Sequence, residues 1–170
     1  MPNGVSVMNN IVLTGFMGTG KSTVGAALAD RLNWTFVDTD TLIIDRAGMT
    51  IPQIFAQGGE PAFRAIEREA CAEAAARSQH VIATGGGALI DPQNLAIMQQ
   101  HGMVVCLNAP PEVIEARLGE DQNRPLAANW RELLAKRKTA YAAIPHQIDT
   151  TDKSPQHIAE EIMTLWQSFT

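Results

Sequence analysis

Eight residues near the N-terminus, Gly15-Phe16-Met17-Gly18-Thr19-Gly20-Lys21-Ser22, constrain this chain more than any other stretch. A glycine, four residues and Gly-Lys-Ser follow the aliphatic run Ile11-Val12-Leu13. They precede a segment that carries Val24, Leu28 and Leu32 on one helix face. A strand that feeds a glycine-rich turn, which in turn opens a helix, is the context in which such a loop binds phosphate. The glycines let successive backbone N–H groups converge on phosphate oxygens, Lys21 bridges the β- and γ-phosphates, and the Ser22 hydroxyl ligates magnesium. The following helix turns its positive end toward the same anion. The chain therefore reads as one that handles a nucleoside triphosphate. A chance glycine-rich turn with a lysine in it would lack both flanking elements.

The rest of the chain alternates strand and helix signals. Strands are expected at 10–14, 34–37, 80–84, 103–107 and, more weakly, 146–148. Helices are expected at 22–32, 39–47, 51–57, 61–77, 92–100, 112–118, 129–143 and 155–169. Such alternation implies right-handed crossovers and a parallel sheet covered by helices on both faces, with ligands gathering at the carboxyl ends of the strands. Pro145 lacks a ladder donor, so the last strand belongs at an edge or starts after it. At 170 residues the chain is long enough for one domain with a full core and too short for two comfortable ones.

The chemistry-bearing residues fall where that architecture wants them. Gly15 follows the first strand, Asp38 and Asp40 the second, and Gly85-Gly86-Gly87 the third. Three glycines after an apolar strand suit a backbone approached closely by a ligand, whereas a merely flexible turn needs fewer. Of the two carboxylates, one could hold magnesium through water or through Ser22, and the other could accept a proton from a substrate hydroxyl. Asp and Thr also cap helices at such junctions, and both roles can coexist. Glu60, Arg64 and Glu67 share one helix face, a pattern whose ordinary meaning is a solvated salt-bridge ladder, the reading also given to Arg68, Glu69 and Glu73. The polar segment 119–125, bracketed by Arg117 and Arg124, has the composition of a flap with its hinge near Gly119 and Pro125. Its arginines would neutralise transferring phosphate, and its closure would exclude water.

Composition removes other classes. A net charge of −5 without a basic tract argues against a nucleic-acid surface. No apolar run reaches membrane-spanning length, and residues 1–9 lack the basic start and apolar core of a signal peptide. Cys71 and Cys106 read as free, packed thiols, in keeping with a reducing cytoplasm. The four histidines are scattered without metal-ligand spacing. A monomer is the default, since no long apolar surface stripe is evident.

Taken together, GFMGTGKSTVG, FVDTD, IFAQGGEPAFRAIE, ATGGGA, Arg124-Pro125-Leu126 and the pair Arg137 and Tyr141 resemble shikimate kinases from about residue 10 to about 150. Gluconate kinases share the phosphate loop but not the combination of Phe-Arg with three glycines. The resemblance implies an α/β fold of the P-loop nucleoside monophosphate kinase type, with a five-stranded parallel sheet flanked by helices. It implies a helical substrate-binding region at about 39–77 and a lid at about 117–127. It also implies transfer of the γ-phosphoryl group of ATP to the 3-hydroxyl of shikimate. In that scheme Gly18, Thr19, Gly20, Lys21, Ser22, Thr23, Arg117 and Arg124 bind the nucleotide. Asp40, Arg64, Gly85, Gly86, Gly87 and Arg137 bind shikimate, and Ser22 and Asp38 serve Mg²⁺. Asp40, Lys21 and Arg124 carry the chemistry, and the 150–155 stretch faces adenine. Two readings stand beside it: a gluconate-kinase-like enzyme, and a nucleotide-binding switch without catalysis. The string 137–145 departs from the family pattern, and Arg131, Lys136 and Lys138 share its helical stretch with Arg137.

Overall fold

A computed structural model describes residues 8–119 and 128–170. Five strands, β1 (Asn10–Thr14), β2 (Thr35–Asp38), β3 (His80–Ala83), β4 (Gly102–Asn108) and β5 (His146–Asp149), form one parallel sheet in the order β2-β3-β1-β4-β5. The helices are α1 (Lys21–Leu32), α2 (Thr39–Ala47), α3 (Ile51–Ala75), α4 (Pro92–His101), α5 (Pro111–Gly119), α6 (Trp130–Ala142) and α7 (Pro155–Phe169). A 3₁₀ turn at Ala88–Ile90 follows β3. This is the helix-covered parallel sheet that the alternating pattern predicts, and it agrees with the P-loop kinase type that the resemblance implies.

Strand β1 is buried along its whole length between β3 and β4, which is why it reads as an unbroken aliphatic run. Its side chains alternate between two cores. Ile11 and Leu13 join Val81, Val105 and Leu107 under α1 and α7, while Val12 joins Ile82, Val104 and Cys106 under the helices of the opposite face. Asn10, although polar, is buried at the strand's start. Its Nδ2 donates to the carbonyls of Ala75 (3.3 Å) and Arg77 (2.7 Å), and its Oδ1 accepts from His80 N (3.1 Å). One side chain thus fastens the end of α3 to the starts of β1 and β3.

One expectation is met and one needs correction. The segments 51–57 and 61–77 form two helical stretches, joined in α3 (Ile51–Ala75) across a kink at Gly59, whose φ of 68° and ψ of −170° are non-helical. Pro61 sits two residues beyond, at the start of the second stretch, where its missing donor costs little. Arg64 does pair along α3 with Glu60 and Glu67, but Arg68, Glu69 and Glu73 are not part of a ladder. Arg68 bonds to Asp91 (2.7 Å) at the start of α4, and Arg46 of α2 bonds to Glu69 (3.2 Å) and Glu73 (2.8 Å), so these pairs tie neighbouring elements together. The expected edge position of the last strand is found. Among the described residues β5 pairs with β4 alone, and it begins at His146, one residue after Pro145.

Candidate active site

The connection out of β1 leads to one edge of the sheet and that out of β4 to the other, which opens a crevice at their carboxyl ends. The phosphate loop lies there. A Cβ on Gly15 would sit 2.2 Å from Leu107 O, and the residue's φ is 137°, so only glycine lets the loop leave β1 against the backbone of β4. Gly20 caps α1 with φ 94° and contributes no side chain to block the helix start. Thr19 turns its hydroxyl into the loop, where Oγ1 donates to Phe16 O (2.7 Å), and is buried. Lys21 Nζ donates to Gly15 O (2.6 Å) and Phe16 O (3.0 Å), which keeps the ammonium over the loop. A cleft of about 560 Å³ opens above it, lined by loop residues together with Ser22, Thr23, Asp38, Asp40, Gly85, Gly86 and Arg117.

At the end of β2, Asp38 performs both tasks that its position allows. Its Oδ1 accepts from Asp40 N (2.9 Å) and caps α2, while its Oδ2 accepts from Ser22 Oγ (3.2 Å). The capping and cation readings of this aspartate are thus compatible, because each uses a different oxygen. Thr39, fully buried, receives Gly85 N on its Oγ1 (3.2 Å) and so fixes the third strand's glycine turn to the second strand's end.

The glycine triplet is the seat on which four side chains meet. A Cβ on Gly85 would lie 3.0 Å from Asp40 Oδ1 and 3.7 Å from Glu67 Oε2. On Gly86 it would lie 3.0 Å from Arg137 Nη1, and on Gly87 it would lie 2.8 Å from Arg64 Nη2 and 2.9 Å from Arg137 Nη2. The two guanidinium groups therefore converge although they stand 73 positions apart in sequence (137 − 64). Each rests near an aromatic ring: Arg64 Cζ is 5.2 Å from the Phe63 centroid and Arg137 Cζ is 5.9 Å from that of Phe16. The basic neighbours of Arg137 go elsewhere. Arg131 pairs with Glu115 at 2.7 Å, and Lys136 and Lys138 are exposed.

Sequence reasoning missed two residues of this constellation. Glu67 had been placed on a solvated face, yet it is 1% exposed, with Oε1 accepting from Arg64 Nη1 at 2.7 Å. Burial pushes its carboxyl above the usual glutamate range; the Arg64 hydrogen bond and charge oppose that shift, and Asp40 adds to it. Burial works against the Arg64 charge, but Glu67 and Glu60 (3.4 Å) outweigh it and raise the guanidinium's pKa. Spacing alone cannot tell the inward side of a helix face from its rim. The second missed contact is Tyr141, whose hydroxyl donates to Gly86 O at 2.5 Å and whose phenol is pushed up by burial against the opposing charge of Arg137. The four-residue step from Arg137 to Tyr141 was its only signal.

Arg117 comes to the phosphate-loop side, half-buried, with Nη1 donating to Gly18 O (3.0 Å) and Thr150 Oγ1 (3.0 Å), and Nη2 donating to Thr150 O (2.9 Å). Arg124 and residues 120–127 of the expected lid, including the hinge position Pro125, lie outside the described residues. Cys71 and Cys106 are free and buried, as expected, their thiols pushed up by burial to about 12 and about 11. Among the described residues no cluster of three or more His, Cys, Asp or Glu forms a metal site, and no helix is long and apolar enough to cross a membrane.

The shikimate kinase family model matches residues 17–167. A shikimate kinase of Geobacter sulfurreducens is 48% identical over 162 residues, covering 92% of this chain and 90% of that one. Another, from Caldanaerobacter subterraneus subsp. tengcongensis, is 43% identical over 165 residues, covering 94% and 96%. Among solved structures, the Acinetobacter baumannii shikimate kinase in complex with shikimate superposes with a TM-score of 0.88 at 37% identity over 97% of this chain and 96% of that one. Likeness of this extent, along nearly the whole of both chains and in fold as well as residues, means that the chain belongs to the shikimate kinase family.

Proposed function

We propose that the chain transfers the γ-phosphoryl group of ATP to the 3-hydroxyl of shikimate, giving shikimate 3-phosphate and ADP. The observation that carries this reading is the meeting of Arg64 and Arg137 over Gly87, beside Asp40 at Gly85, in the crevice that also holds Lys21. Two guanidinium forks on one spot suit a carboxylate, and the bare glycine backbone leaves room for a ring between them and the phosphate loop. Glu67 holds Arg64, and Tyr141 holds the Gly86 backbone, so the acid group would meet donors already in place.

With the carboxylate so fixed, a ring hydroxyl faces Asp40. The hydroxyl oxygen forms the new bond to the γ-phosphorus as the bond to the β-bridging oxygen breaks. Asp40 orients the hydroxyl and takes its proton, and ADP carries away the electron pair of the broken bond. Gly18, Gly20 and Thr23 line or form the phosphate cradle, Lys21 shifts from the loop carbonyls to the β- and γ-oxygens, and Arg117 adds charge from the adenine side. Arg124 completes the charge-neutralising set by its position in the sequence. The hard oxygen donors Ser22 Oγ and Asp38 Oδ2, 3.2 Å apart beside the loop, fit Mg²⁺, which keeps most of its water and takes few protein ligands. Held by these two residues, the ion would supply neutralisation of phosphate charge.

A coupled ADP-release assay with MgATP, offering shikimate, gluconate or no acceptor to the wild type and to Asp40→Asn, tests the reading. Release that depends on shikimate and falls about 10²–10⁴-fold in the variant supports it. Dependence on gluconate, or release that needs no acceptor, contradicts it.

A further inference from the structure

The carboxamide of Gln147 joins the two halves of the site. It stands on edge strand β5, with Nε2 donating to the carbonyls of Tyr141 (2.6 Å) and Ile144 (2.8 Å) and Oε1 accepting from Asn108 Nδ2 (2.7 Å). Only this orientation of the amide suits all three neighbours, since the two carbonyls call for its amino group. Tyr141 lies in the last turn of α6, where its carbonyl also accepts from Ile144 N (3.2 Å), so Gln147 shares in capping the helix whose Arg137 and Tyr141 face the glycine triplet.

From Asn108 the hydrogen bonds continue toward the nucleotide. Its backbone carbonyl accepts from Thr150 N (2.9 Å) and Thr150 Oγ1 (3.2 Å), and Thr150 receives both Nη atoms of Arg117, which also holds Gly18 O of the phosphate loop. Beside the carboxamide lies a cleft of about 450 Å³, lined by Asn108, Ala109, Leu134, Ala135, Ala142 and Gln147 itself. Tyr141 and Ile144 are buried, so the core holds the inner side of the α6 end, while on the side of the cleft the hydrogen bonds of Gln147 hold it.

We infer that Gln147 is a positioning residue that holds Arg137 and Tyr141 in register with Arg117 and the phosphate loop, so that occupancy of the nucleotide site strengthens binding of the acid substrate. This rests on the assignment of Arg137 to the acid and Arg117 to the nucleotide made above. A loosened α6 end would move the Arg137 fork off its seat, and the two sites would then fill independently.

Isothermal titration calorimetry of shikimate, with and without saturating MgADP, tests the inference on the wild type, Gln147→Leu and Asn108→Ala. The ratio of the two dissociation constants is the readout, and thermal melts run alongside. The wild-type ratio should be about fivefold or more and should fall toward one in Gln147→Leu. Asn108→Ala, which leaves the α6 cap in place, should lower the ratio with little change in shikimate affinity in the absence of nucleotide. A wild-type ratio of one, or a ratio unchanged in Gln147→Leu, overturns the inference. A lower melting temperature with an unchanged ratio also overturns it, because it marks the carboxamide as a helix cap only. Failure of the wild type to bind shikimate at all would instead bring down the functional reading on which the inference depends.

Discussion

The phosphate-loop side of this crevice and the side proposed to take the acid are built by opposite means. The phosphate loop and its lysine come from one run of nine residues, 15–23, shaped mainly by backbone and held by two strand ends. The side proposed to take the acid draws on Asp40 of α2, Arg64 and Glu67 of α3, the triplet after β3, and Arg137 and Tyr141 of α6, and recognition there would be carried by side chains. Backbone donors fixed by a tight turn need little support. Long arginine side chains lose more rotamer freedom when ordered, so each has acquired a brace. Within the clamp the braces differ: Arg64 leans on a buried carboxylate, whereas Arg137 lies against Phe16 on a helix fastened by Tyr141 and Gln147.

The largest effect should come from disturbing the local half. Gly15→Ala places a methyl group against Leu107 O at a φ that alanine avoids, and should cost about 2–6 kcal/mol, from backbone strain and overpacking together, in chemical denaturation. The clamp should respond in affinity. Arg64→Ala and Arg137→Ala should each weaken shikimate by about 2–5 kcal/mol, with ATP affinity nearly unchanged, as read by calorimetry. The two variants should part in stability, because Arg64→Ala leaves the Glu67 carboxylate buried without its partner. Arg137→Ala strands no such charge and should melt near the wild type, while Arg64→Ala melts lower. Adding Glu67→Gln to Arg64→Ala should restore the melting temperature without restoring affinity. Equal melting temperatures for the two single variants would erase the distinction between the braces.

Smaller changes sharpen the same comparison. Gly87→Ala asks both guanidinium groups to move while its own backbone, at φ −95°, is unstrained. Shikimate KM should rise about 10–100-fold with little change in melting temperature, whereas a triplet serving only as a turn would leave KM alone. Tyr141→Phe removes one hydrogen bond to Gly86 O and should cost about 0.5–1.5 kcal/mol in shikimate affinity. The smallest signal is in pH. The native state holds the Glu67 proton to higher pH than the unfolded chain does, so it binds more protons between the two values. The contribution of Glu67 to stability is thus complete below the ordinary glutamate range and is lost as pH rises through its elevated folded pKa. Melting curves taken upward from the ordinary glutamate range should show that decline in the wild type and a flatter profile in Glu67→Gln. Equal slopes would remove Glu67 as its source.

How far sequence reaches follows from how far apart the cooperating residues are. The loop 15–22, the alternating strands and helices, the edge position forced by Pro145 and the carboxylates after β2 were all legible, because each depends on neighbours within a turn or a strand. The helix break expected at 58–61 is there too, because Gly59 takes up a non-helical φ of 68° and Pro61 starts the next stretch, both local properties. Which basic residue of the 131–138 stretch faces the crevice could not be read locally, because Arg131, Lys136, Arg137 and Lys138 are chemically alike. The rotation of α6 against Phe16 and Gly86 brought Arg137 in, sent Arg131 to Glu115, and left the lysines in water.

Residue order by itself determined the phosphate loop and the parallel α/β scaffold, whose backbone geometry and side-chain period are short-range properties. The tertiary structure alone decided that Glu67 is buried, that Arg64 and Arg137 meet over one glycine, and that Gln147 spans the gap between α6 and β4. Burial and convergence are sums over contacts distant in sequence, and they exist only once the sheet has brought its strand ends together.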